Sequence, residues 1–316
     1  MIPPHMPLSP NALRDALTGV IGFPVTPFRQ DLSVDLDALR QNVRVMLEHP
    51  LAAIVAAGGT GELYSLTPGE HLDVVGAIVE EARGKLPVIA GTGFSVAMGT
   101  QLARQAAAAG ASGILAFPPY YPGAEDDGLV KYYTAIGEST SLGLLIYSRD
   151  WFHPSAAMVE RLAAIPTLVA WKDGQGDIRR LQIIKRHIGD RFCWIGGAGD
   201  DMVPAYYSIG IRAFTSSVAN VSPQVALQLH DAGVKGDEAT LQQLMNELVV
   251  PLYALRARRK GHEVTVMKEL MTMVGLAGGA IRPPLVPMRP EEMEELRAMV
   301  PAWKQVVGAR VVKTGA

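Results

Sequence analysis

A lysine at the end of an apolar run is the residue of this chain best placed to do chemistry. Leu168-Val169-Ala170-Trp171-Lys172-Asp173-Gly174 reads as a short buried strand that Lys172 closes. Charged lysine is seldom fully buried without a partner. In an apolar setting, desolvation penalises the ammonium form and depresses the pKa. A lysine that is neutral near pH 7 attacks carbonyl carbon, and the product is a Schiff base. The alternative is that Lys172 leaves the strand toward solvent, or pairs with Asp173.

Other reactive types fall in short polar breaks after apolar runs. Gly58-Gly59-Thr60-Gly61-Glu62 would let backbone N–H groups approach an anion, with Thr60 adding a hydroxyl, or would make a tight turn and nothing more. A phenol both donates and accepts, so Tyr147 can transfer protons, or it can pack with its hydroxyl capped. Arg149 carries the planar fork that grips a carboxylate, or it pairs with Asp150. Tyr120 and Tyr121 precede Pro122 and fill a loop or an interface.

These breaks need a scaffold that gathers them. Short apolar, β-branched runs at 19–24, 52–57, 88–91, 113–117, 143–147, 168–172, 193–196 and 213–217 read as strands. Helical patterns at 35–48, 68–83, 96–109, 129–139, 156–164, 178–187, 202–209 and 223–232 alternate with them. Thr67-Pro68-Gly69-Glu70 has the N-cap, the proline and the glutamate of a capping box. Strict alternation predicts parallel strands with crossover helices. The count fits a (β/α)₈ TIM barrel, whose site forms at the C-terminal strand ends. A doubly wound sheet is the runner-up, but neither glycine-rich loop carries a dinucleotide fingerprint or a P-loop lysine. Beyond residue 235 the patterns at 238–259, 264–274 and 290–307 are helical. The expected organisation is therefore an N-terminal arm and short helix over 1–18, a barrel over 19–235 and a C-terminal helical extension over 236–316.

Composition excludes several classes. The 316 residues are 48% hydrophobic and 19% charged with net charge −2, so a large core is available and no basic face invites nucleic acid. One cysteine rules out an intramolecular disulfide and fits a reducing compartment. Seven scattered histidines make no zinc spacing. No apolar run is long enough for a membrane helix, and the proline-rich start does not read as a secretory signal, so the cytoplasm is expected.

In chain order, Pro24-Val25-Thr26-Pro27-Phe28, Gly58-Gly59-Thr60-Gly61-Glu62, Tyr120-Tyr121, Tyr147 and Lys172-Asp173 resemble the dihydrodipicolinate synthase/N-acetylneuraminate lyase superfamily of class I aldolase-type barrels. Within it, residues 58–68, Tyr147-Ser148-Arg149-Asp150 and residues 171–177 look most like the branch that dehydrates and decarboxylates keto-deoxy sugar diacids. The resemblance implies that Lys172 forms an imine with a substrate ketone and that Tyr147 is the nearby acid/base. It implies that Gly59 and Thr60 hold the adjacent carboxylate, and that Arg149 takes the second one. Tyr121 matches a tyrosine that reaches into a neighbouring subunit's site, and Ser217 and Asn220 would touch substrate hydroxyls. No metal or organic cofactor is implied, the partner is a small keto-deoxy diacid, and the assembly is a tetramer built as a dimer of dimers. The synthase branch has a hydroxyl where this chain has Gly59, and there it links two tyrosines in a proton relay. Here a water, Ser65 or another group would have to bridge. Rival readings are an aldolase that cleaves the same imine to pyruvate and an aldehyde, a pyruvate-condensing synthase, and a non-catalytic metabolite-binding barrel.

Overall fold

The computed structural model describes residues 8–307. Eight parallel strands close into a barrel in chain order: β1 (Gly19–Gly22), β2 (Ala53–Ala56), β3 (Val88–Phe94), β4 (Gly113–Pro119), β5 (Gly143–Ser148), β6 (Leu168–Asp173), β7 (Cys193–Gly196) and β8 (Ala213–Ser216). A short helix, α1 (Pro10–Ala16), precedes β1. Crossover helices follow the strands: α2 (Leu36–Leu47), α3 (Pro68–Ala82), α4 (Val96–Ala108), α5 (Asp126–Glu138), α6 (Ala156–Leu162), α7 (Ile178–Ile188), α8 (Val203–Ser208) and α9 (Pro223–Lys235). The expected alternation and closure are present, and the doubly wound alternative is excluded by the β1–β8 pairing. The expected N-terminal arm lies mostly outside the described residues, as does the end of the C-terminal extension.

Alternation along each strand makes two cores. Ile21, Val55, Ile89, Leu115, Leu145 and Ile195 point into the barrel. Val20, Ile54, Val88, Ile114, Leu144 and Phe214 point out against the helices. Leu13 and Leu17 close the interior from below, with the Leu13 side chain lying against Gly113 and Gly143. The predicted capping box starts α3: Thr67 Oγ1 accepts from the Glu70 N–H at 3.2 Å, and Glu70 returns the bond to the Thr67 N–H at 2.9 Å.

One irregularity decides the site. In β6, Val169 and Ala170 both belong to the interior cluster, and the register against β5 skips a residue there, pairing Leu144 with Leu168 but Leu145 with Ala170. Without that bulge, strict alternation from an inward Val169 would point Trp171 inward and Lys172 outward. With it, Trp171 packs outward among the helices and Lys172 turns inward, level with Tyr147.

The segment expected as one helix over 238–259 is interrupted. It runs as α10 (Glu238–Leu244), a π-turn at Met245–Val249, and α11 (Val250–Arg256). Pro251 has no N–H to give to the preceding turn, and the wider turn absorbs that missing bond. Gly261, at φ 85°, separates α11 from α12 (His262–Met273). The last helix, α13 (Pro290–Val307), starts where its pattern predicts and runs to the end of the described residues. Met245, Leu252, Leu270 and Trp303 from these helices join the core that surrounds the barrel. Among the described residues no helix is long and apolar enough to cross a membrane.

Candidate active site

A cavity of about 620 Å³ opens at the C-terminal ends of the strands, within the size range of small-metabolite sites. Lys172 lines it and is only 3% exposed. Its Nζ donates to the Gly197 carbonyl at 3.1 Å. The Tyr147 hydroxyl donates to the same oxygen at 3.4 Å. The lysine amine lies 3.1 Å from the centre of the Tyr147 ring. Gly197 makes this approach possible, because a Cβ there would stand 2.6 Å from the lysine Cγ.

Burial, and then the Arg149 charge, hold the Lys172 pKa well below its ordinary value, with Asp173 pulling the other way. Asp173 is no ion-pair partner for it. The aspartate accepts from the Tyr206 hydroxyl at 2.8 Å and from the Gly176 N–H at 3.1 Å. Burial raises the Tyr147 pKa against the opposing Arg149 charge, so the phenol stays protonated and can donate. Trp171 anchors the strand from behind by donating to Ser148 Oγ at 3.2 Å, and that hydroxyl donates to the Lys172 carbonyl at 3.3 Å.

The β2 loop supplies the next wall. Gly59 and Thr60 line the cavity. Glu62 N–H bonds the Gly59 carbonyl and Leu63 N–H bonds the Gly58 carbonyl, both at 3.1 Å, which curls the loop tightly. Ala57 and Glu62 flank it in left-handed conformations, at φ 48° and φ 57°. Left-handed non-glycine residues cost roughly 1 kcal/mol or more and cluster at functional sites. Two ties hold this shape. Thr26, from the Pro24–Phe28 motif, donates to the Gly61 carbonyl at 2.7 Å. Glu62, fully buried, meets Lys268 of α12 at 2.5 Å.

Gly59 has a specific spatial reason. A Cβ at this position would lie 3.0 Å from Arg149 Nη1. The arginine occupies the room that a side chain on residue 59 would take, over the rings of Tyr147 and Phe117 at 5.3 and 5.7 Å from their centres, with Asp150 fixing its Nε at 2.7 Å. Ser65, the hydroxyl considered as a bridge, does not line the cavity. Arg149, expected to take the second carboxylate, stands on the same wall as the β2 loop.

The remaining expected residues divide. Ser217 lines the cavity, its Oγ within 3.2 Å of the Tyr253 hydroxyl. Asn220 does not reach it. The Asn220 amide donates to the carbonyls of Phe23 at 2.7 Å and Ser217 at 2.9 Å, and its oxygen accepts from Val25 N–H at 2.9 Å. A buried amide so engaged braces the β1–β8 seam, with both of its N–H donors spent on backbone carbonyls. Tyr121 is 74% exposed on the loop after β4 and does not line the cavity of its own chain.

Several lining residues escaped the sequence reading, among them Tyr253, Arg256 and Glu263 from the helices beyond the barrel. The signal for Arg256 was the cationic run Arg256-Ala257-Arg258-Arg259-Lys260, which has the form of an ordinary solvated helix end.

The dihydrodipicolinate synthetase family profile matches residues 16–303. A probable 5-dehydro-4-deoxyglucarate dehydratase of Ralstonia nicotianae is 39% identical over 286 residues, covering 90% of this chain and 92% of its own length. A probable enzyme of the same name from Rhodococcus opacus is 38% identical over 296 residues, covering 92% and 97%. Among solved structures, dihydrodipicolinate synthase from Bacillus clausii superposes with a TM-score of 0.88 at 28% identity, over 92% of this chain and 99% of that one.

Proposed function

The chain belongs to the dihydrodipicolinate synthetase family, and from that footing we propose that it is a Schiff-base-forming, decarboxylating dehydratase. Its substrate is 5-dehydro-4-deoxy-D-glucarate and its products are 2,5-dioxopentanoate, water and carbon dioxide. The observation that carries the chemistry is the buried Lys172 amine, its pKa held well below the ordinary lysine value by burial and Arg149, sharing the Gly197 carbonyl with Tyr147. The choice of substrate is supported by the names of the relatives and by Arg149 in the space beside Gly59.

The Lys172 amine adds to the carbon 5 ketone, and loss of water gives a protonated imine. That cation is an electron sink, so the carbon 4 proton becomes acidic. Its removal leaves an enamine, which expels the carbon 3 hydroxyl with a proton from the neighbouring acid. Tyr147 is the phenol placed to move these protons. The resulting unsaturated iminium extends its conjugation to carbon 2. When the carbon 1 carboxylate leaves as carbon dioxide, its bonding pair flows into that system. Protonation, tautomerisation of the carbon 2 enol to an aldehyde, and imine hydrolysis release the five-carbon product and restore the lysine. Gly59, Thr60 and Arg149 hold the carboxylate beside the ketone, and Ser217 faces the hydroxyl-bearing carbons. Tyr121, exposed on its own chain, is assigned to a neighbouring subunit's site in a homo-oligomer.

Substrate labelled at carbon 1 tests the reaction. Labelled carbon dioxide and unlabelled 2,5-dioxopentanoate in equal amounts are expected. Pyruvate among the products would make the protein an aldolase instead.

A further inference from the structure

A six-carbon diacid extended from Lys172 needs an anion site at each end, and Arg149 with the β2 loop makes only the near one. We propose that Arg256 is the distal carboxylate site. This rests on the reading of the substrate as a diacid.

Arg256 ends α11 and lines the same cavity. It is only 8% exposed. Its Nε donates to the Glu263 carbonyl at 3.1 Å, which fixes the plane of the guanidinium. Its Nη1 is buried and has no hydrogen-bond partner among the described residues. The other two guanidiniums of the cavity wall are already paired, Arg149 with Asp150 at 2.7 Å and Arg259 with Glu292 at 2.6 Å. Arg256 makes no ion pair among the described residues. A buried cation held in no close ion pair is costly, and an incoming anion offsets that cost.

The position is prepared as well as outside any ion pair among the described residues. The guanidinium lies 4.2 Å over the Tyr253 ring, and the Tyr253 hydroxyl is fixed by a 2.6 Å bond to Asp200. Asp201, the neighbouring acid on the loop after β7, has its pKa raised by burial and by Asp200 while the Arg256 charge pulls it down, and it makes no ion pair with the arginine. The wall built by α11 and the β7 loop is thus cationic at a second place. Selectivity for a diacid over a monoacid with the same keto end follows from it.

Calorimetric titration with adipate and with hexanoate tests this without requiring an imine. The wild-type protein is expected to bind adipate about tenfold or more tightly than hexanoate, the scale of one charge-assisted pair. Arg256→Met should abolish that preference, and Arg256→Lys, which keeps the charge, should retain part of it. Arg149→Met should weaken both acids alike. No preference in the wild type, a preference that survives Arg256→Met, or one that Arg149→Met removes would each overturn the assignment. Borohydride trapping on the wild-type protein reads the imine separately, so a failed Schiff-base mechanism and a failed distal site give different results.

Discussion

Lys172 is useful because of what surrounds it. Buried and beside Arg149, it loses its proton well below the ordinary lysine value of about 10.4. Attack needs the neutral amine, so imine formation is present above the depressed folded pKa and fails as pH falls through it. Arg149→Met removes the second cause of the shift, the Lys172 pKa rises, and the acid limb of kcat/KM should move to higher pH. A pH–rate profile of the variant checks this; an unmoved limb would mean that Arg149 does not set the lysine's charge. The same burial has a stability cost. Between the folded pKa and about 10.4 the unfolded chain binds a proton that the folded one does not, so stability rises with pH across that window. Lys172, Tyr147, Thr60 and Arg149 were legible in the sequence because each follows an apolar run in an alternating pattern. Arg256 was not, because a cation on a helix end has the same local sequence whether it faces solvent or a cavity. Asn220 was misread for a related reason: its position after β8 is visible, but two of the three backbone groups that bond its amide, on Phe23 and Val25, come from the distant β1 end.

At the scale of elements, the site depends on ties between the barrel loops and the helices that follow it. The β2 loop is held from α12 by the buried Lys268–Glu62 pair and from the connector before α13 by Arg282, which bonds Glu70 at 2.7 Å at the start of α3. Removing one member of a buried pair strands the other, at a cost of about 3–5 kcal/mol. Lys268→Met should therefore lower stability by about 3 kcal/mol and raise KM as the Gly59–Thr60 wall loosens. The double change Lys268→Met with Glu62→Gln should recover much of the stability, since no uncompensated charge remains. Chemical denaturation of both variants measures the difference; equal stability of single and double variants would argue against the tie. The strands and most helix starts were readable from periodicity and caps. The β6 bulge was not, because Val169 and Ala170 are both small enough for either face and only closure against β5 selects the register. The π-turn ahead of Pro251 carried a visible signal, a proline inside a helical pattern, whose consequence depends on the packing of Leu248 and Leu252.

For the whole molecule, the exposed pair Tyr120 and Tyr121, at 85% and 74%, places aromatic surface on a loop that its own chain leaves uncovered. If Tyr121 completes a neighbouring site, Tyr121→Phe and Lys172→Ala should each be impaired alone. A mixture allowed to exchange subunits should then exceed the sum of the two, because some sites combine an intact Lys172 with an intact Tyr121. Additive activity after confirmed exchange would confine the site to one chain. The central claim is the imine on Lys172, and intact-protein mass after borohydride reduction with 5-dehydro-4-deoxyglucarate tests it most directly. The expected result is a single adduct of the dehydrated, decarboxylated five-carbon product, mapped to Lys172 and absent from Lys172→Met. Full turnover with no adduct, or turnover that survives Lys172→Met, would contradict it.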